Sequence, residues 1–130
     1  ARQAKEMVNR GEPTLIRELV GGDTSLITAK TVCKAAEAGD RRAIELFTTA
    51  GRYLGLGIAN LSVLLNPGIV VVGGSVTKAG DLLFEPMHQT IRAQIDEIYR
   101  CPVVPALLGD TVALVGAAEL ARDHLSTLGE

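Results

Sequence analysis

The sequence has no tryptophan and few rings of any kind; its aromatic residues are Phe47, Tyr53, Phe84 and Tyr99. A platform that stacks single-stranded bases needs several aromatics in a basic groove, so that class of function is excluded. Charge of one sign is lacking too. Thirteen Lys and Arg stand against fifteen Asp and Glu, for a formal charge of −2. The basic residues are mixed with acidic ones: Arg41 and Arg42 follow Asp40, and Arg92 lies near Asp96 and Glu97. Such a mixed surface carries no phosphate-backbone footprint, and this segment is expected to bind no nucleic acid. There is no secretory signal and no membrane-length apolar run. The longest such run, 53–65, is too short to span a bilayer and contains Asn60. The expectation is a cytoplasmic protein with no membrane contact.

Reactive side chains are equally sparse. The two cysteines, Cys33 and Cys101, sit in apolar contexts and read as reduced, buried thiols rather than a disulfide. His88 and His124 are isolated, which makes each a poor metal ligand. No P-loop, no suggestively spaced pair of carboxylates, no Cys/His cluster and no Ser/His/Asp set can be assembled. No catalytic residue and no metal ligand is therefore assigned within the chain.

What the chain does have is small and aliphatic residues, with 14 glycines among 130 residues and 47% hydrophobic content. That length suits one domain with a sizeable core. Residues 1–10 read as the end of a helix stopped by Gly11. Starting inside an element suggests a piece of a longer protein. Pro13 opens a short helix to Val20, and Thr28 caps a helix through Ala38. Asp40 caps the longest helix, 41–65, in which Ile44, Phe47, Gly51, Leu54, Ile58, Leu61 and Leu65 recur at helical spacing. Gly51, Gly55 and Gly57 weaken that helix, which points to close approach of a neighbouring backbone or to a ligand edge.

Asn66-Pro67 ends the helix, because the residue before a proline is pushed out of helical geometry. The run 69–72, Ile-Val-Val-Val, fits a strand of a parallel sheet covered on both faces. A helix over 81–100 follows, with Leu82, Leu83, Met87, Ile91, Ile95 and Ile98 inward and Pro86 in its first turns. Residues 103–107 form a second strand, whose Pro105 favours an edge. The last helix runs over 111–125, capped by Asp110 or Thr111, and its Gly116-Ala117-Ala118 face suits tight packing. The class is α/β, but two strands make an incomplete sheet. The glycine pair Gly73-Gly74 lies at the carboxyl end of the first strand, where open α/β sheets take ligands.

Several strings combine in order along nearly the whole chain. They are Ile27-Thr28-Ala29-Lys30, Ala36-Glu37-Ala38-Gly39-Asp40, Gly51-Arg52-Tyr53-Leu54-Gly55, Ala59-Asn60-Leu61, Leu65-Asn66-Pro67 and the run from Val70 to Gly74. Lys78-Ala79-Gly80-Asp81-Leu82-Leu83, Glu85-Pro86, Leu108-Gly109-Asp110 and Gly116-Ala117-Ala118 complete the series. Together they resemble the ROK family of sugar kinases and sugar-responsive repressors, built on the actin-like ATPase (ribonuclease H-like) fold.

The resemblance implies that residues 1–130 are a single C-terminal lobe. The N-terminal lobe, with its phosphate-binding segment and catalytic aspartate, and the zinc motif would lie upstream. It implies a homodimer and a sugar as effector or substrate. In kinase members, Gly73 and Gly74 match the glycines beside the adenosine of ATP, which binds with Mg²⁺, and Asn66 and Pro67 shape the approach to them. Two departures from the kinase pattern favour a regulator. Ser75 replaces a third glycine, and Thr111-Val112-Ala113 stands where kinases tend to have Asp-Ala-Gly. The expectation is therefore the effector-side and dimerisation lobe of a sugar-responsive transcriptional regulator, not catalytic alone. The alternative is the nucleotide-side lobe of an ATP-dependent, glucokinase-like kinase.

Overall fold

The structure is a computed structural model that describes residues 1–107 and 109–127. Its elements are α1 (Arg2–Asn9), α2 (Leu15–Leu19), α3 (Ala29–Glu37), α4 (Arg41–Leu65), β1 (Val70–Val72), α5 (Asp81–Gln94), β2 (Val103–Pro105) and α6 (Val112–Thr127). Short 3₁₀ turns cover Thr24–Leu26, Ser75–Ala79, Glu97–Tyr99 and Gly109–Thr111. β1 and β2 pair in parallel, Val70 opposite Val103 and Val72 opposite Pro105, with α5 as the connection between them.

Local chemistry sets the helix ends. The Thr28 hydroxyl accepts from the Thr31 amide, and the Thr31 side chain returns the bond to the Thr28 amide, closing a capping box at α3. Asp40 caps α4 by accepting from the amides of Arg42 and Ala43 through Oδ1. Its other oxygen accepts from the Thr14 hydroxyl at 2.6 Å and from the Leu15 amide, so one carboxylate fastens the starts of two helices. Asn66 ends α4 in the left-handed region at φ 45°, a conformation that asparagine tolerates better than most residues.

The core has two parts. Ala4, Met7, Val8, Ile16, Val32, Ala35, Ala43, Phe47 and Leu83 join α1 to α5 in the first. Ile58, Met87 and Ile91 meet Val72 and Val103 of the sheet in the second, and Leu54 and Phe84 pack against both. The seam between α4 and α5 is therefore the spine of the molecule. It is close because of two glycines. A methyl built at Gly51 would lie 2.5 Å from the Leu83 carbonyl oxygen and 2.7 Å from Pro86 Cγ; at Gly55 it would lie 2.6 Å from the Met87 carbonyl oxygen. Gly57, with nothing within 4 Å, has no such partner. Close backbone packing thus accounts for two of the three glycines.

Several expectations are corrected. The helix from 81 ends at Gln94 rather than 100, and the 3₁₀ turn Glu97–Tyr99 follows it. Ile95 turns to extended backbone there, and the Arg100 guanidinium folds back to donate to the carbonyl oxygens of Arg92 and Ile95 at that helix end. Ile98, placed inward by periodicity, is 80% exposed. Leu61 and Leu65 are also exposed, and Ser62 is the buried residue of that turn, its Oγ 3.8 Å from Cys101 Sγ. Only one face of the sheet is covered, since Val72 is buried and Val71 is 57% exposed. Gly116 has no neighbour within 4 Å and Ala117 and Ala118 are exposed, so the small-residue face of α6 packs on nothing among the described residues. The side chain of Asp110, a candidate cap, lies outside the described residues. Cys33 and Cys101 are free thiols, half-buried rather than buried.

Candidate functional site

The carboxyl end of β1 leads through Gly73-Gly74 into the turn Ser75–Ala79, and this turn forms one wall of a cleft of about 520 Å³. The opposite wall is α3, presenting Ala29, Lys30, Cys33, Lys34 and Glu37, and Phe47 of α4 also lines the space. Ser75, Val76, Lys78 and Ala79 face them from the turn. Why these residues share a wall is a matter of helical period. Lys30, Cys33, Lys34 and Glu37 step by three and four residues and so lie on one side of α3. Thr28, which caps the helix, fixes where that side starts.

The electrostatics of the cleft favour an anion. Among the described residues, the charged side chains that line it are those of Lys30, Lys34, Lys78 and Glu37. Burial pushes the Cys33 thiol up, and Glu37, which accepts its hydrogen bond at 3.5 Å, pushes it further. Cys33 is thus a neutral thiol at physiological pH rather than a nucleophile. A second, more open groove of about 610 Å³ runs beside Asp40 between α2 and the start of α4. Burial raises the Asp40 carboxyl, but the hydrogen bonds from Thr14, Ala43, Leu15 and Arg42 outweigh that and hold it below the ordinary range. With both oxygens engaged, Asp40 reads as a structural clamp. Among the described residues, no three or more His, Cys, Asp or Glu side chains group as a metal site.

The residues singled out in sequence do not all meet. Gly73 and Gly74 are exposed and precede Ser75 in the chain, but neither lines the cleft. Asn66 and Pro67 lie before β1, at the other end of a three-residue strand spanning roughly 10 Å. They line none of the larger cavities. Lys30, Lys34 and Lys78 form the charged part of the cleft, and none was singled out as a site residue. The signal available was the Lys30–Lys34 step of four; its convergence with Lys78, far along the chain, is tertiary.

Ser75 also bears on the comparison of kinases with regulators. Asn66 is the one non-glycine residue with positive φ among the described residues, so Ser75 occupies a backbone that needs no glycine. Its side chain lines the cleft without forcing the turn. Thr111 is exposed in the 3₁₀ turn Gly109–Thr111, whereas the side chains of Val112 and Ala113 lie outside the described residues.

A parallel strand pair linked by a helix, with a glycine turn after the first strand, defines a lobe of the α/β class. The model of the ROK family matches residues 12–124, and the chain belongs to that family. It is 36% identical over 110 residues to a glucokinase of Halalkalibacterium halodurans, covering 79% of this chain and 32% of that protein. It is 37% identical over 97 residues to the DNA-binding transcriptional dual regulator NagC of Escherichia coli, covering 73% of this chain and 24% of that protein. Among solved structures it resembles a ROK family glucokinase from Streptomyces griseus in complex with glucose and AMPPNP. That likeness has a TM-score of 0.80 at 34% identity, over 94% of this chain and 41% of the other. The chain thus spans well under half of each of these relatives. Kinases and regulators are both represented, and similarity does not separate them. Among the described residues, no helix is long and apolar enough to cross a membrane.

Proposed function

We propose that residues 1–130 form the C-terminal, nucleotide-side lobe of a two-lobed, cytoplasmic ROK protein, with ATP taken at the cleft between α3 and the turn Ser75–Ala79. The observation that carries this reading is the cleft itself, which has lysines on both walls and one wall formed by the turn Ser75–Ala79 that follows β1 and its two glycines. Its volume suits a nucleotide, and ligands of open α/β sheets enter at the carboxyl ends of the strands. Lys30, Lys34 and Lys78 would meet the charge, while Gly73 and Gly74 would let the adenosine approach the backbone. Support comes from the likeness to the glucokinase solved with AMPPNP, an ATP analogue. Mg²⁺ would accompany ATP, and both the sugar and the catalytic base would belong to the other lobe. Phosphoryl transfer needs groups placed on both sides of a cleft, so this chain alone is inactive.

The second reading keeps the same lobe in a sugar-responsive regulator, favoured by the identity to NagC and by Thr111 in place of the kinase aspartate. On either reading the lobe associates with a second copy. The exposed Leu61, Val63, Leu64 and Leu65 of α4 provide apolar surface for it. Calorimetric titration of ATP with Mg²⁺ into the chain tests the first reading. Saturable binding that weakens at least tenfold in the Lys30→Glu, Lys34→Glu double variant is expected. No binding would remove the nucleotide reading and leave the regulator.

A further inference from the structure

Ser75 carries a hydroxyl that the lobe itself leaves unused. It follows Gly73-Gly74, opens the turn Ser75–Ala79 and lines the cleft from that side. Among the described residues, the hydroxyl side chains that line the cleft are those of Thr28 and Ser75. Thr28 is committed to the start of α3, where its oxygen accepts from the Thr31 amide and lies 3.0 Å from the Thr31 hydroxyl. No hydrogen bond among the described residues engages the Ser75 hydroxyl. The backbone nevertheless holds it in place. The Gly74 carbonyl accepts from the Thr77 amide at 3.1 Å and from the Thr77 hydroxyl at 2.8 Å, closing the chain around Ser75. At the far end Ala79 packs against the first part of the core, and the Gly80 carbonyl accepts from the Leu83 and Phe84 amides at 3.0 Å each. The turn is thus tied to the core and to the start of α5, and it presents Ser75 from a fixed support. A donor held in this way loses little freedom when a ligand arrives.

We propose that Ser75 is a ligand-contacting residue whose hydroxyl donates to a phosphate oxygen of ATP, while Lys30 and Lys34 meet the same charge from α3. This rests on the cleft being the nucleotide site, as argued above, and adds the residue of the turn that reads the phosphate. The two lysines line the opposite wall, and among the described residues neither enters an ion pair. The order of the chain divides the work. Gly73 and Gly74, without side chains, leave bare backbone for the adenosine, and the first side chain after them is the donor. A hydrogen bond to a charged oxygen is stronger than one to a neutral group. A site built to make such a bond rejects ligands that lack the partner. Ser75 therefore adds to the selectivity of the cleft for phosphorylated over unphosphorylated nucleosides.

Calorimetric titrations of ATP with Mg²⁺, and separately of tripolyphosphate, into wild type and Ser75 variants test the contact. Ser75 has no positive φ, so Ser75→Ala removes the hydroxyl without straining the turn, and circular dichroism checks the fold. Both ligands should bind Ser75→Ala about tenfold more weakly than wild type. Ser75→Thr, which restores a hydroxyl, should recover most of that loss. The loss should also shrink in a Lys34→Gln background, because both groups meet one charge. ATP binding that ignores both Ser75→Ala and Ser75→Gly would overturn the contact and leave the cleft reading standing. So would tripolyphosphate that fails to bind, or that binds Ser75→Ala as tightly as wild type, while ATP is taken up. A loss that Ser75→Thr does not recover would assign the effect to the turn and overturn the hydroxyl's role. Wild type that binds neither ligand would remove the cleft reading and the contact with it.

Discussion

The two halves of α4 share one helix but differ in what surrounds them. The first half starts at a buried carboxylate, Asp40, and runs along α5 through Phe47, Gly51 and Gly55. The second half keeps Ile58, Ala59 and Ser62 inside and turns Leu56, Leu61, Val63, Leu64 and Leu65 outward. Leu64 is 77% exposed although its neighbours are as apolar as any core segment. Burial therefore depends on what lies opposite. In the first half that is a fourteen-residue helix, α5, pressed close by glycines; in the second it is the later part of α5, at Met87 and Ile91, and a sheet of two three-residue strands. An apolar helix face needs a partner of matching length before periodicity translates into a core.

Substitutions at the glycines give the largest effects and the sharpest contrast. Gly51→Ala should destabilise by about 2–3 kcal/mol in urea unfolding, because the added methyl meets backbone oxygen rather than a flexible side chain. Gly55→Ala should behave alike. Gly57→Ala, six residues from Gly51 in the same helix and facing open space, should instead stabilise by about 0.5–1 kcal/mol. Equal signs at Gly51 and Gly57 would break the comparison.

Asp40→Ala comes next, at about 2 kcal/mol, because both helix starts lose their acceptor. The folded carboxyl lies below its ordinary 3.8, so its contribution is complete above that value and is lost as pH falls through the lower, folded one. Urea midpoints of wild type and Asp40→Ala should accordingly converge as the pH drops below about 4. The smallest effect on stability belongs to the outward half. Leu64→Lys should shift stability by less than about 0.5 kcal/mol while weakening self-association in sedimentation. A large loss of stability would mean that this face is packed after all.

Much of the fold was legible because it is written in local chemistry. Thr28 and Asp40 announce helix starts, Asn66-Pro67 announces a stop, and the β-branched run 69–72 announces β1. The end of α5 was not legible. No glycine or proline marks it, and the cap is the Arg100 side chain returning to Arg92 and Ile95 from beyond the helix. Leu61 and Leu65 follow helical spacing yet stay exposed, and Ile98 falls in the turn beyond the end of α5, where that spacing no longer applies. For the candidate site, the glycine turn was visible as a strand ending. The charged walls were not, because Lys34 and Lys78 come together only through the packing of α3 on the turn.

The most direct test of the account is an amide-resolved NMR titration of the chain with ATP and Mg²⁺. The prediction is that shifts concentrate in the turn Ser75–Ala79, at Gly74 and Gly80, and along the cleft side of α3 from Ala29 to Glu37. The outward half of α4 should stay unmoved. Shifts confined to 61–65, or spread without regard to the cleft, would contradict the claim that the lobe takes its ligand between α3 and the turn Ser75–Ala79.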